Sequence, residues 1–136
     1  MGQQQLLLII LGVIIVGIAI AVGITMFSSS SVQANKDALV NDLNNLAANA
    51  YQFKIRPCTM GGGGGTYAGT LCSPANPYTV PTKLAGNDNG GFVATSVTAP
   101  AVTFTATSLT YGNSTVVAVC DSNGRLGQFT YTGEFL

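Results

Sequence analysis

The sequence predicts an α+β fold: one long N-terminal α-helix, its apolar half protruding and its amphipathic half packed on a three- to four-stranded antiparallel β-sheet. Three observations predict it. The chain opens on an uncharged apolar run; a stripe of apolar residues at helical spacing follows; and the last third is rich in Val, Thr, Phe and Tyr between turn residues. With 136 residues there is room for one domain plus such a helix, and not for two full domains.

The first element begins in QQQLLLIILGVIIVGIAIAVGITMF, Gln3 to Phe27, and no charged residue precedes Lys36. At about 1.5 Å per residue, Leu6 to Phe27 reaches about 33 Å, enough to cross a hydrocarbon core of about 30 Å. A secretory signal has a basic start and an apolar core of roughly 7–15 residues. This run is longer and has no basic residue before it, although Val32-Gln33-Ala34 resembles a signal-peptidase site. Gly12, Gly17 and Gly23 interrupt it. Each costs roughly 1 kcal/mol against Ala in a helix interior, and each lets another backbone approach closely. Their spacing is not GxxxG, and several glycines would also permit local unwinding.

After Ser28–Ser31 the pattern turns amphipathic. Val32, Leu39, Leu43, Leu46, Ala50 and Phe53 trace one stripe, while Asn35, Lys36, Asp37, Asn41, Asp42, Asn44 and Asn45 fill most of the other side. No proline occurs before Pro57, so one helix is expected to about Lys54. Residues 1–27 form its transmembrane or filament-core part, and residues 28–55 its amphipathic part.

Residues 56–90 read as a Gly/Pro-rich loop, with Pro57, Pro74, Pro77, Pro81 and the run Gly61–Gly65. The run is no phosphate-binding loop: no GK[ST] follows and no strand–helix context surrounds it. A flexible surface loop is expected. Cys58 and Cys72 flank the run and suit a disulfide; pairing of Cys72 with Cys120 is the alternative, and otherwise Cys120 is free. Three cysteines without CxxC spacing do not assemble a zinc site.

Residues 91–136 hold the sheet, and residues 28–136 together make the globular domain. The strands are expected at Phe92–Val97, Val102–Tyr111, Thr115–Asp121 and Leu126–Phe135, with turns at Gly112-Asn113 and Asn123-Gly124. Asp121 fits a turn-former. Asn113-Ser114-Thr115 is an N-glycosylation sequon in a turn, making Asn113 the glycosylation candidate.

Composition excludes several functions. Five basic and five acidic residues, 7% of the chain, leave no cluster to neutralise a phosphate backbone, so nucleic acid is not an expected partner. There is no histidine, and Asp37, Asp42, Asp88, Asp121 and Glu134 are scattered, so no catalytic site, cofactor or metal is expected. So little charge suits a surface covered by neighbours or by sugars.

The opening MGQQQLLLIILGVIIVGIAIAVGI, the stripe through Leu39, Leu43 and Leu46, the loop with Cys58 and Cys72 and the terminal strands together resemble the type IV pilin family. The resemblance spans the chain in layout, and the N-terminal third at the level of a motif. It implies a helical homopolymer, with hydrophobic half-helices bundled in the core and sheet domains outside. Subunits would sit in the inner membrane before assembly, meet a prepilin peptidase and pilus assembly machinery, and end in an extracellular filament serving adhesion, motility or surface attachment. Gln5, Leu8, Leu11, Gly12, Ile15, Gly17, Ile20 and Gly23 are the helix-core positions it implies. Met1 or Gln3 is the implied site of N-terminal processing and methylation. One feature departs from the family: most of its bacterial members carry Glu at the fifth mature position. Here that position is Gln5 if Met1 is the first residue, or Leu7 if Met1-Gly2 is a leader. A monomeric membrane-anchored extracytoplasmic binding domain and a pseudopilin of a secretion or uptake system are the alternative expectations.

Overall fold

The computed structural model describes Gly2–Leu136. It contains α1 (Gly2–Ile55), a 3-10 turn (Cys58–Met60), β1 (Gly90–Val97), β2 (Val102–Ser108), β3 (Thr115–Cys120), β4 (Leu126–Tyr131) and a closing 3-10 turn (Gly133–Phe135). The fold is α+β, as expected. It divides into two compact units, one ending at Ala34 and one running from Asn35 to Leu136.

In the second unit the sheet is an antiparallel meander in the order β1-β2-β3-β4. Alternation puts Val102, Phe104, Ala106 and Ser108 of β2 and Val116, Ala118 and Cys120 of β3 on one face, all buried. Leu39, Leu43, Leu46, Ala47 and Ala50 of α1 complete that core. The helix and sheet come very close at Gly90, where a Cβ would stand 2.2 Å from the Thr107 carbonyl oxygen and 3.0 Å from a Leu39 methyl. Val32 and Phe53, at the two ends of the predicted stripe, are half-buried.

The polar margin of the helix is tied to the sheet by uncharged donors. The Asp42 carboxylate accepts from the side-chain amides of Asn87, at 2.8 Å, and Asn89, at 3.1 Å. The buried Ser108 hydroxyl donates to Asn35 Oδ1 at 2.7 Å and accepts from the Tyr111 N–H. This fixes where β2 stops. The expected strand to Tyr111 ends at Ser108, because the Ser108 side chain is held by the helix and residues 109–114 turn back. β1 starts at Gly90, two residues before the expectation, and β3 ends one residue early. β4 ends at Tyr131 where Gly133, at φ 68°, turns the chain and buries Phe135 beside Tyr111.

The glycine run is a packed helix cap and not the free surface loop expected of it. The last turn of a helix leaves carbonyls without partners. Here Gly63 N–H donates to Phe53 O at 2.8 Å, Gly65 N–H to Lys54 O at 2.7 Å, and Gly64 N–H to Arg56 O at 3.1 Å. Gly62 and Gly63 are buried. A Cβ on Gly63 would fall 1.9 Å from Thr66 O, so side chains are excluded by the folded-back backbone itself. The disulfide Cys58–Cys72 closes this turn, with its Cα atoms 5.5 Å apart, and Cys120 is free and buried. Of the two pairings open from sequence, the local one forms.

Gly63→Ala is therefore expected to destabilise the second unit by several kcal/mol, on the order of overpacking a core. Gly112→Ala, where a Cβ meets nothing within 4 Å, is expected to leave stability within about 0.5 kcal/mol of the parent. Thermal melts of the two detergent-solubilised variants, followed by circular dichroism, check this.

Candidate functional site

The part of the molecule that calls for a function is the first unit of α1. From Leu6 to Phe27 every large apolar side chain is between 48% and 77% exposed. Its most apolar 18-residue window has a mean hydropathy of 3.2 and no buried residue, and the helix is long and apolar enough to cross a membrane. Its backbone is satisfied by the helix, and Thr25 returns its hydroxyl to Val22 O at 2.8 Å. What remains without cover is side-chain surface alone.

Gln5, Leu8, Leu11, Gly12, Ile15, Gly17, Ile20 and Gly23 all lie on this helix and all are exposed. At about 100° per residue, Gln5, Leu8, Leu11, Gly12, Ile15 and Gly23 fall within one sector of about 120°. Ile20 and Gly17 lie outside it, with Gly17 about 140° from Gly12. A Cβ added at Gly12, Gly17 or Gly23 meets nothing within 4 Å. These glycines therefore answer to no contact inside the chain, unlike Gly63 and Gly90, which do. At the N-terminal end Gln3, Leu6, Leu7 and Ile10 line a shallow apolar hollow on the helix. Gln3 is exposed; Met1, the other processing position, lies outside the described residues.

In the second unit, Asn113 is exposed in the β2–β3 turn. The middle residue of its sequon, Ser114, is buried and accepts the Glu134 N–H, while the Thr115 hydroxyl bonds that of Thr132 at 2.6 Å. Asp121 forms the expected turn, its Oδ1 accepting from the Asn123 and Arg125 N–H groups. The Arg125 N–H is the main reason its carboxyl sits below the ordinary carboxylate range.

Beside it is a tyrosine–cysteine cluster that the sequence did not announce. The Tyr67 hydroxyl donates to Asp121 O and lies 3.5 Å from the Cys120 sulfur, and Lys54 sits 5.3 Å over the Tyr67 ring while donating to Ser122 O. Burial pushes the Cys120 thiol above its usual range, so it is held as a protonated core group rather than a thiolate nucleophile. Tyr67 is shifted upward as well, again chiefly by burial. Tyr78 packs edge-on to Phe53 and Phe104 and donates to Asn49 Oδ1 at 2.9 Å. Its hydroxyl is pushed up to about 12, first by burial and then by repulsion from Cys120 once alkaline pH has ionised that thiol. Among the described residues no three of Cys, Asp and Glu gather as a metal-ligand set.

No protein-family model, no curated protein and no solved structure matches this chain. The fold and the uncovered helix define it as an α+β protein carrying one membrane-compatible apolar half-helix.

The tyrosine shift has a consequence at high pH. A folded pKa raised from 10.0 to about 12 means the fold favours the neutral phenol. The unfolded chain releases that proton first, so the contribution is full below about pH 10 and is lost as pH rises toward 12. Unfolding midpoints are expected to fall through that window, and less steeply in Tyr78→Phe, as urea titrations at stepped alkaline pH would measure.

Proposed function

We propose that this chain is the structural subunit of a type IV pilus-like extracellular filament, polymerising through the apolar half of α1. The observation that carries the reading is the glycine-notched apolar surface, exposed all the way from Leu6 to Phe27, whose glycines answer to nothing inside the chain. Burying each large apolar side chain is worth about 1.5–3 kcal/mol, so the segment stands to gain tens of kcal/mol in gross terms by leaving water. Lipid supplies that cover before assembly. In lipid, however, helices associate by close packing, for which small residues are used. Notches on two sides of the helix fit neighbours on two sides, which a lone anchor does not need. Heterologous contacts of this kind build an open helical stack when they do not close into a ring.

The sheet unit then forms the outer coat, and its low charge lets copies crowd without strong repulsion. The filament serves adhesion, motility or surface attachment. A prepilin peptidase and assembly machinery handle the inserted subunit, and the function is mechanical rather than enzymatic.

Gly17→Leu tests the reading. A Cβ at Gly17 meets nothing within 4 Å, and the position lies in the first unit, so membrane insertion and the melting of the second unit are expected to match the parent. Thin fibres containing the polypeptide, seen by negative-stain microscopy of sheared surface material, are expected for the parent and lost at least tenfold in the variant. Extraction of the parent solely as a detergent-soluble monomer, with no fibres, would mean a membrane-anchored monomer instead.

A further inference from the structure

Sheet edges are where one chain pairs with another, and proteins blunt them with charge, proline, bulges or cover. The two edges of this sheet differ. β1 is bulged between Ala94 and Ser96, and a strap crosses it, with Phe92 N–H donating to Ala85 O and Gly86 bridging Gly91. β4, Leu126-Gly127-Gln128-Phe129-Thr130-Tyr131, carries no charge and no proline, and its sheet neighbour among the described residues is β3. Its bulge lies at the Leu126 end, leaving Phe129, Thr130 and Tyr131 in regular register with Ala118, Val117 and Val116.

Which groups face outward follows from the ladder. Thr132 N–H donates to Thr115 O, so by the two-residue period Thr130 also bonds toward β3. The N–H and C=O of Phe129 and Tyr131 then point away from the sheet. Their side chains stack at 6.3 Å on the core face and are half-buried, while the Thr130 side chain is exposed on the other face. The Lys36 ammonium lies 3.9 Å over the Tyr131 ring and holds this aromatic lip in place.

We infer that β4 pairs antiparallel with β4 of a second copy of this chain, across a two-fold axis at Thr130. In this register Phe129 of each copy lies opposite Tyr131 of the other, matching outward-facing groups and adding an aromatic cross-strand contact. Charge selects the direction. Arg125 precedes the strand and Glu134 follows it, so antiparallel pairing brings each copy's Arg125 to the Glu134 end of the other, whereas parallel pairing brings like charges together. Pairing of β4 with β1 of another copy is opposed by the strap over β1.

An isologous contact closes on itself and cannot propagate a stack. Resting on the filament reading, the β4 pair therefore joins subunits of two filaments and bundles them side by side.

The test is Thr130→Cys in the full-length chain in intact cells. Directly opposed residues in a non-hydrogen-bonded antiparallel pair have Cα atoms about 4.5 Å apart, within disulfide range. Mild oxidation is expected to give a covalent dimer as the main band on a non-reducing gel. Val93→Cys on β1, 57% exposed, is expected to stay monomeric. Thr130→Lys sets two ammonium groups at the axis without touching the core, and is expected to turn bundles into single filaments with an unchanged melting temperature. A Thr130→Cys protein that cross-links no better than Val93→Cys, or bundles that persist in Thr130→Lys, would overturn the inference. Fibres with a monomeric Thr130→Cys sink the pairing and spare the filament reading; dimers without fibres do the reverse.

Discussion

One helix has to satisfy two different solvents, and the other elements are arranged around that demand. From Asn35 onward α1 gives Leu39, Leu43, Leu46, Ala47 and Ala50 to a protein core, so its surroundings there are fixed by the sheet. From Leu6 to Phe27 it gives apolar side chains to whatever is not water. Because a helix bonds its own backbone, this second demand is for side-chain cover alone, which lipid and other helices both meet. An exchange of one cover for the other would leave the backbone hydrogen bonds untouched. The C-terminal end of α1 has no such freedom. Its last carbonyls must be met by groups of the same chain, and the Gly63 and Gly65 N–H groups, folded back and closed by Cys58–Cys72, meet those of Phe53 and Lys54.

With so few charges, the second unit is tied together by amides and hydroxyls. Asp42 is held by Asn87 and Asn89, Asn35 by Ser108, and Thr95 by Thr105. Each such bond contributes about 1 kcal/mol net, more where a carboxylate accepts. Ionic strength screens exposed ion pairs strongly and neutral hydrogen bonds hardly at all. A surface built this way keeps its fixings across changes of salt.

Legibility in the sequence followed the range of the interaction. The helix was legible because its stripe repeats over several turns, and the strands because alternation and hairpin residues are local signals. Where tertiary contact overrode a local pattern, the reading slipped. Leu109, Thr110 and Tyr111 extend the run of strand-forming residue types past β2, but the bond from Ser108 to Asn35, 73 residues away in sequence, ends the strand first. The glycine run looked like a free loop because nothing local shows that Gly63 lies against Thr66 O and Phe53. Asn87 and Asn89 fell within the expected 56–90 loop, and their grip on Asp42 needed the fold. The disulfide partner of Cys72 was a choice between two until the chain was closed. On the apolar half-helix, positions were legible as exposed or buried only together with the surroundings, which no single chain contains.

Register along that half-helix raises a physical question of its own. An ion pair between subunits sets axial position because its energy falls steeply with distance in an apolar medium. Between Gly2 and Asn35 there is no side-chain charge to do this. Apolar burial is non-directional and rewards any overlap of similar area. Shape is then what distinguishes one register from the next. Gly12 and Gly23, eleven residues apart and thus on nearly the same side, offer two notches on one face, and Gly17 offers a third on another. A neighbour shifted by one turn, about 5.4 Å, sets its side chains against Ile or Val where a glycine stood and loses the close approach. In the proposed filament, the glycines that weaken the helix as an isolated rod would thus be the features that make one stacking arrangement better than its near neighbours.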